Sequence, residues 1–149
     1  MKGFQFRLER LLRLRAQAEQ ARARELMSAG QTEEERRLAV NRANGQLDTL
    51  SLQMQESTGK VASAGILINL GLTVHAATTA IAHAEKSHAE ATTALEVEQG
   101  KFLEARKERR IVERLRELRH AAWHTETGRA EQRDMDEIAL QRHSTGGQT

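Results

Sequence analysis

No proline interrupts the 149 residues, so no position forbids the backbone hydrogen bonds of a helix, and helices tens of residues long are open to the chain. The residues present favour them. Alanine occurs 22 times, and Leu, Arg, Glu and Gln, which lose little on entering a helix, are abundant. Aromatic residues make up only 3%, namely Phe4, Phe6, Phe102 and Trp123. A compact core leans on aromatic bulk, so the buried surface expected here is a narrow seam of small aliphatic groups.

Two helical stretches are expected, over residues 4–56 and 66–142, as one antiparallel coiled coil spanning 1–143, with 144–149 as a disordered tail. In the first, Leu8, Leu11 and Leu12 begin an apolar stripe that continues through Ala18 and Ala21. Val40, Ala43, Leu47, Leu50 and Met54 then step by three and four. Glu19, Glu33 and Arg36 break the strict heptad, which predicts a shift of phase. In the second, Ile81, Ala84, His88, Ala91, Leu95, Glu98, Phe102 and Ala105 keep the spacing. Ile111, Leu115, Leu118 and Ala122 repeat it after another shift.

The cluster Glu56-Ser57-Thr58-Gly59-Lys60 marks a turn over about 57–65. Gly30 and Gly45 lie inside periodic sequence and are read as tolerated there, at about 1 kcal/mol each against alanine. Long helices joined by a short turn bury their seams in each other only when antiparallel. A turn centre near residue 61 then sets Leu8, Leu11 and Leu12 against Ile111, Leu115 and Leu118. It sets Ala21 against Phe102 and Val40 against Ala84.

Several functions are disfavoured by what the chain lacks. Without cysteine there is no disulfide, thiolate catalysis or cysteine-bound metal. His120 and His124 stand four apart with Glu117 one turn earlier, a spacing that can ligate zinc. No glutamate follows His120 as the metalloprotease motif needs, and two surface histidines are the simpler reading. Carboxylates alternate with arginines as helix-stabilising pairs. No phosphate loop or nucleophile elbow occurs, so no enzyme activity, cofactor or metal is expected. The N-terminus has no secretory core, and its acidic residues argue against a transit peptide. No run of 18 apolar residues stands out, so no spanning helix is expected and the location is cytoplasmic.

Net charge is +2, but it is unevenly placed. Residues 1–24 carry seven basic and two acidic side chains, and residues 101–119 carry eight and four. In the expected hairpin these runs meet at the end holding the termini. They form a basic collar of Arg7, Arg10, Arg13, Arg15, Arg109, Arg110, Arg114 and Arg116. It is either a solvated flank or a docking surface for an acidic protein cavity. Nucleic acid is disfavoured because stacking aromatics are nearly missing. A second feature is the uncharged run from Val61 to Val74. Ile66, Leu67, Leu70 and Val74 share a face there that Ala77 and Ile81 continue. Closure of the hairpin tip, partner docking and membrane-surface contact are all open readings of it.

The segments FQFRLERLLRLR at 4–15 and ERRIVERLRE at 108–117, with EQRDMDEIA at 131–139, resemble the FliJ family of bacterial flagellar export proteins over essentially the whole chain. The resemblance implies a non-catalytic component of the flagellar type III export apparatus, an antiparallel two-helix coiled coil similar to the shaft of rotary ATP synthases. It implies that the collar end enters the ring of the export ATPase, FliI, and stimulates it. It also implies contact with the export gate protein FlhA, for which Leu70, Val74, Ala77 and Ile81 are the candidate face. Escort of export chaperones and peripheral association with the inner face of the cell membrane follow from the same resemblance. The alternative is a scaffolding coiled coil that self-associates, including a stalk of the related YscO type from virulence secretion.

Overall fold

The computed structural model describes residues 3–59 and 63–145. The centre expected for the turn, residues 60–62, and the last four residues of the expected tail lie outside the described residues. Two long helices pack against each other as an all-α hairpin, with no strand among the described residues. Helix α1 spans Glu9–Thr58 and α2 spans Ala64–Thr145.

The helix ends follow local chemistry. Helix α1 begins at Glu9 rather than near residue 4, because the segment before it packs across α2 instead of coiling. The Phe4 ring meets the His120 ring edge-on at 4.9 Å, and the Glu9 amide donates to the Phe6 carbonyl at 3.1 Å. Gly30 and Gly45 lie inside α1, as the periodicity predicts. At its far end the Ser57 and Thr58 hydroxyls donate to the carbonyls of Gln53 and Met54 at 2.8 and 3.2 Å, and the Thr58 hydroxyl also reaches the Gln55 carbonyl at 2.9 Å. Helix α2 starts after Ser63, a favoured residue type at a helix N-terminus. The Ser63 carbonyl accepts from the amides of Ile66 and Leu67 at 3.0 and 3.3 Å.

The chain divides into two compact units, a central one of Gln20–Leu103 and a terminal one made of residues up to Glu19 and from Glu104 on. In the central unit the seam on α2 runs through Leu70, Val74, Ala77, Ile81, Ala84, His88, Ala91, Leu95, Glu98 and Phe102. All are half-buried except Ala91, which is buried. From Ile81 onward this is the expected stripe. On α1, Ala23, Leu26, Gly30 and Glu33 are half-buried, then Val40, Ala43, Leu47, Leu50 and Met54. Ala21, expected against Phe102, is exposed, as is Ala18 in the terminal unit.

That difference has a simple cause. Steps of four and three from Leu12 lead to Ala16, Glu19, Ala23, Leu26, Gly30 and Glu33. The glutamates that break the apolar pattern are therefore on the seam, not beside it. Glu33 is covered because His88 answers it, with Nε2 and Oε1 2.7 Å apart.

The terminal unit corrects the expected register in the same way. Ile111 and Leu118 are 61% and 54% exposed, whereas Val112 is 9% exposed. The stripe does not change phase after Ala105. It continues through Arg109 to Val112, because Arg109 reaches a carboxylate on α1 and can occupy a seam position. Ile111 and Leu118 are left exposed beside the seam, while Leu115 lines one groove with Leu8, which it was expected to face.

Candidate functional site

The eight collar arginines all lie in the terminal unit, and they fall into two sets. Four hold structure. Arg15 Nη1 donates to Glu108 at 2.5 Å, Arg116 Nε lies 3.2 Å from Glu9, and Arg109 Nε donates to Glu19. These three pairs cross between the helices. Arg109 also donates to Glu113 at 2.6 Å, and Arg114 donates to Glu117 at 2.8 Å along α2. The hydrogen bond from Arg109 to Glu19, more than any other contact, raises the guanidinium above its usual value. Such a cation is fixed in both charge and place.

The other four, Arg7, Arg10, Arg13 and Arg110, make no ion pair with a described residue, and all are exposed. Arg106 and Arg119, which the sequence reading did not single out, are exposed and equally unpaired among the described residues. A charge already neutralised by a neighbour contributes little to a long-range field, so the docking potential of the collar rests on this second set. Charge counting found the region. Only the pairing says which charges are free.

Of these cations Arg7 and Arg119 line a groove of about 700 Å³, which has Phe4, Phe6, Leu8, Leu115 and Trp123 as apolar walls and Glu126 among its polar residues. Trp123 lies 5.9 Å from both Phe4 and His120, ring centre to ring centre. The ring of His120 is thus taken up in aromatic packing. Among the described residues no three His, Asp or Glu side chains come together to hold a metal.

In the central unit the candidate gate residues Leu70, Val74, Ala77 and Ile81 are the only half-buried positions between 64 and 82. They belong to the seam. The free apolar surface consists instead of Ile66, Leu67, Ile68 and Leu72, with Ile68 and Leu72 at 64% and 63% exposure. Periodicity alone favoured the seam set because it continues the stripe of Ile81 and Ala84. The uncharged run is also longer than Val61 to Val74. No Asp, Glu, Lys or Arg occurs from Val61 to Ala84. An 18-residue window of α2 reaches mean hydropathy 1.5 with none of it buried, so by length and composition this helix could cross a bilayer. The expectation of no such stretch missed it because His75 and several threonines interrupt the apolar letters.

One carboxylate in this unit is perturbed. Glu98 accepts from Lys101 at 2.7 Å, and this bond, against some desolvation, holds its carboxyl below the usual range. Its second oxygen is covered and has no hydrogen-bond partner among the described residues.

Comparison with known families matches residues 4–148 to the model described as flagellar FliJ protein. Comparisons with curated proteins and with solved structures return no match.

Proposed function

The chain belongs to the FliJ family of flagellar export proteins, and from that premise we propose that it acts as a non-catalytic stalk of the flagellar type III export apparatus. In this reading its terminal unit binds the ring of the export ATPase FliI and stimulates hydrolysis. An asymmetric helical pair in a symmetric ring makes each subunit's contacts differ, which biases ring assembly and turnover. The central unit meets the gate protein FlhA, with Leu70, Val74, Ala77 and Ile81 holding the seam beneath that contact, and the same protein escorts export chaperones. It works in the cytoplasm, held at the inner face of the membrane through the apparatus.

The observation that carries the ATPase contact is the set of exposed cations Arg7, Arg10, Arg13 and Arg110, unpaired among the described residues, of which Arg7 lines the aromatic groove. Their side chains have no structural duty, so a partner can engage them without unfolding the protein. Reversing Arg7, Arg10 and Arg13 to glutamate is expected to weaken stimulation of the purified export ATPase while circular dichroism stays unchanged. Full stimulation by that variant would remove the collar from the mechanism.

A second reading is a scaffold that gathers further helices. It is favoured by the exposed pair Ile111 and Leu118, which stand one heptad apart on α2. Sedimentation of the isolated protein separates the two readings. The scaffold forms a stable oligomer without the ATPase, and the stalk does not.

A further inference from the structure

We propose that the first turns of α2, about residues 64–74, form a lipid-contact segment that enters the interfacial layer of a bilayer through Ile68 and Leu72. This inference does not depend on the ATPase reading. It starts from how apolar side chains are spread around the helix. Leu70 and Val74 are half-buried on the seam. Ile68 and Leu72 each stand two residues from Leu70, hence on the opposite side of the helix, and are about two-thirds exposed.

A helix docked on a protein needs one apolar stripe, whereas a helix that is apolar all round belongs in a core or in lipid. Helix α1 covers the seam side only. One further helix could cover one more stripe, but a bilayer covers every remaining side at once.

Charge and hydrogen bonding complement a hydrocarbon boundary. No residue from Ser63 to Ala84 carries a formal charge, apart from any protonation of His75 and His83, in a chain that is 30% charged. The hydroxyls that would otherwise oppose burial are already satisfied within the helix. Thr73 donates to the Asn69 carbonyl at 2.8 Å, Thr78 to Val74 at 2.8 Å, and Thr79 to His75 at 3.0 Å. Hydroxyls with an internal acceptor tolerate an apolar medium. Because the segment bears no charge, its binding needs no anionic lipid and resists salt, the opposite of binding through the collar.

The test is flotation of the full chain with neutral phosphatidylcholine vesicles at roughly 0.1 and 0.5 M salt. The wild type floats with the vesicles to the same extent at both. The double variant Ile68→Asn, Leu72→Asn keeps its helicity, since both side chains are exposed, and loses about tenfold or more in bound fraction. Brominated phosphatidylcholine quenches the added emission of Ile68→Trp, while the wild type, whose single Trp123 lies in the terminal unit, is unquenched. Failure of the wild type to float overturns the proposal. So does binding only to anionic vesicles that salt removes, or equal quenching of both proteins. A lipid-free dimer that the double variant abolishes assigns the face to a second copy instead. ATPase stimulation is read separately and stays intact in the double variant.

Discussion

The terminal and central units use the same helices in different ways. In the terminal unit three ion pairs cross between α1 and α2, from Arg15 to Glu108, from Glu19 to Arg109 and from Glu9 to Arg116. In the central unit one acid–base side-chain contact crosses between the helices among the described residues, the hydrogen bond between Glu33 and His88, and the first turns of α2 carry no charged side chain. Apolar contacts are non-directional, so alanine and leucine seams tolerate a slip that a guanidinium–carboxylate pair does not. The terminal unit therefore has its register specified by charge, and the central unit keeps a loosely specified seam beside the uncharged first turns of α2.

The largest test of that contrast is a pair of neighbouring substitutions. Val112→Asp places an unpaired carboxylate on the seam and is expected to cost about 3 kcal/mol in urea unfolding. Ile111→Asp falls on an exposed side chain and is expected to stay within about 0.5 kcal/mol. Equal costs would return the seam to Ile111 and break the observed register. Next in size is the coupling between Glu19 and Arg109. A double-mutant cycle to alanine is expected to give about 1 kcal/mol, because both side chains are mostly covered. The same cycle on the exposed pair Arg114–Glu117 is expected to give about 0.3 kcal/mol. If both cycles give the smaller value, the crossing pairs do not set register.

On the central side, Gly30→Ala is expected to stabilise the protein by about 0.5–1 kcal/mol. A methyl there meets nothing nearer than the Leu95 side chain at 4.0 Å, so thermal melting should shift upward. The smallest effect concerns Glu98. Its carboxyl lies below the unfolded value of 4.5, so its contribution is fully present above that pH and is lost as pH falls through the lowered value. Melting temperatures taken on acidification from pH 5 are expected to fall more steeply for the wild type than for Glu98→Gln. Parallel curves would show that the bond to Lys101 does not couple to folding.

Much of this was legible in the letters. The lack of proline, the alanine content and the 3/4 spacing from Ile81 to Ala105 specified two long helices and their antiparallel packing. Three and a half residues per turn leaves few other ways to bury such a stripe. The basic collar was legible as a region because charge density needs no coordinates. Hidden from the sequence was which letters could serve as seam. Glu19 and Glu33 looked like interruptions and Arg109 like a collar charge, yet each is covered because its partner lies on the other helix. Leaving Arg109 out of the seam moved the expected stripe to Ile111 and Leu118.

The sequence by itself thus determined the class of fold, the family and the placement of charge, since those depend on local propensity, on period and on composition. Only the tertiary structure decided which arginines are spent on Glu9, Glu19 and Glu108 and which stay free. It likewise decided that Leu70 and Val74 are seam while Ile68 and Leu72 are surface. Both outcomes depend on the neighbour across the seam, and a linear chain carries that neighbour's identity only through the register that folding selects.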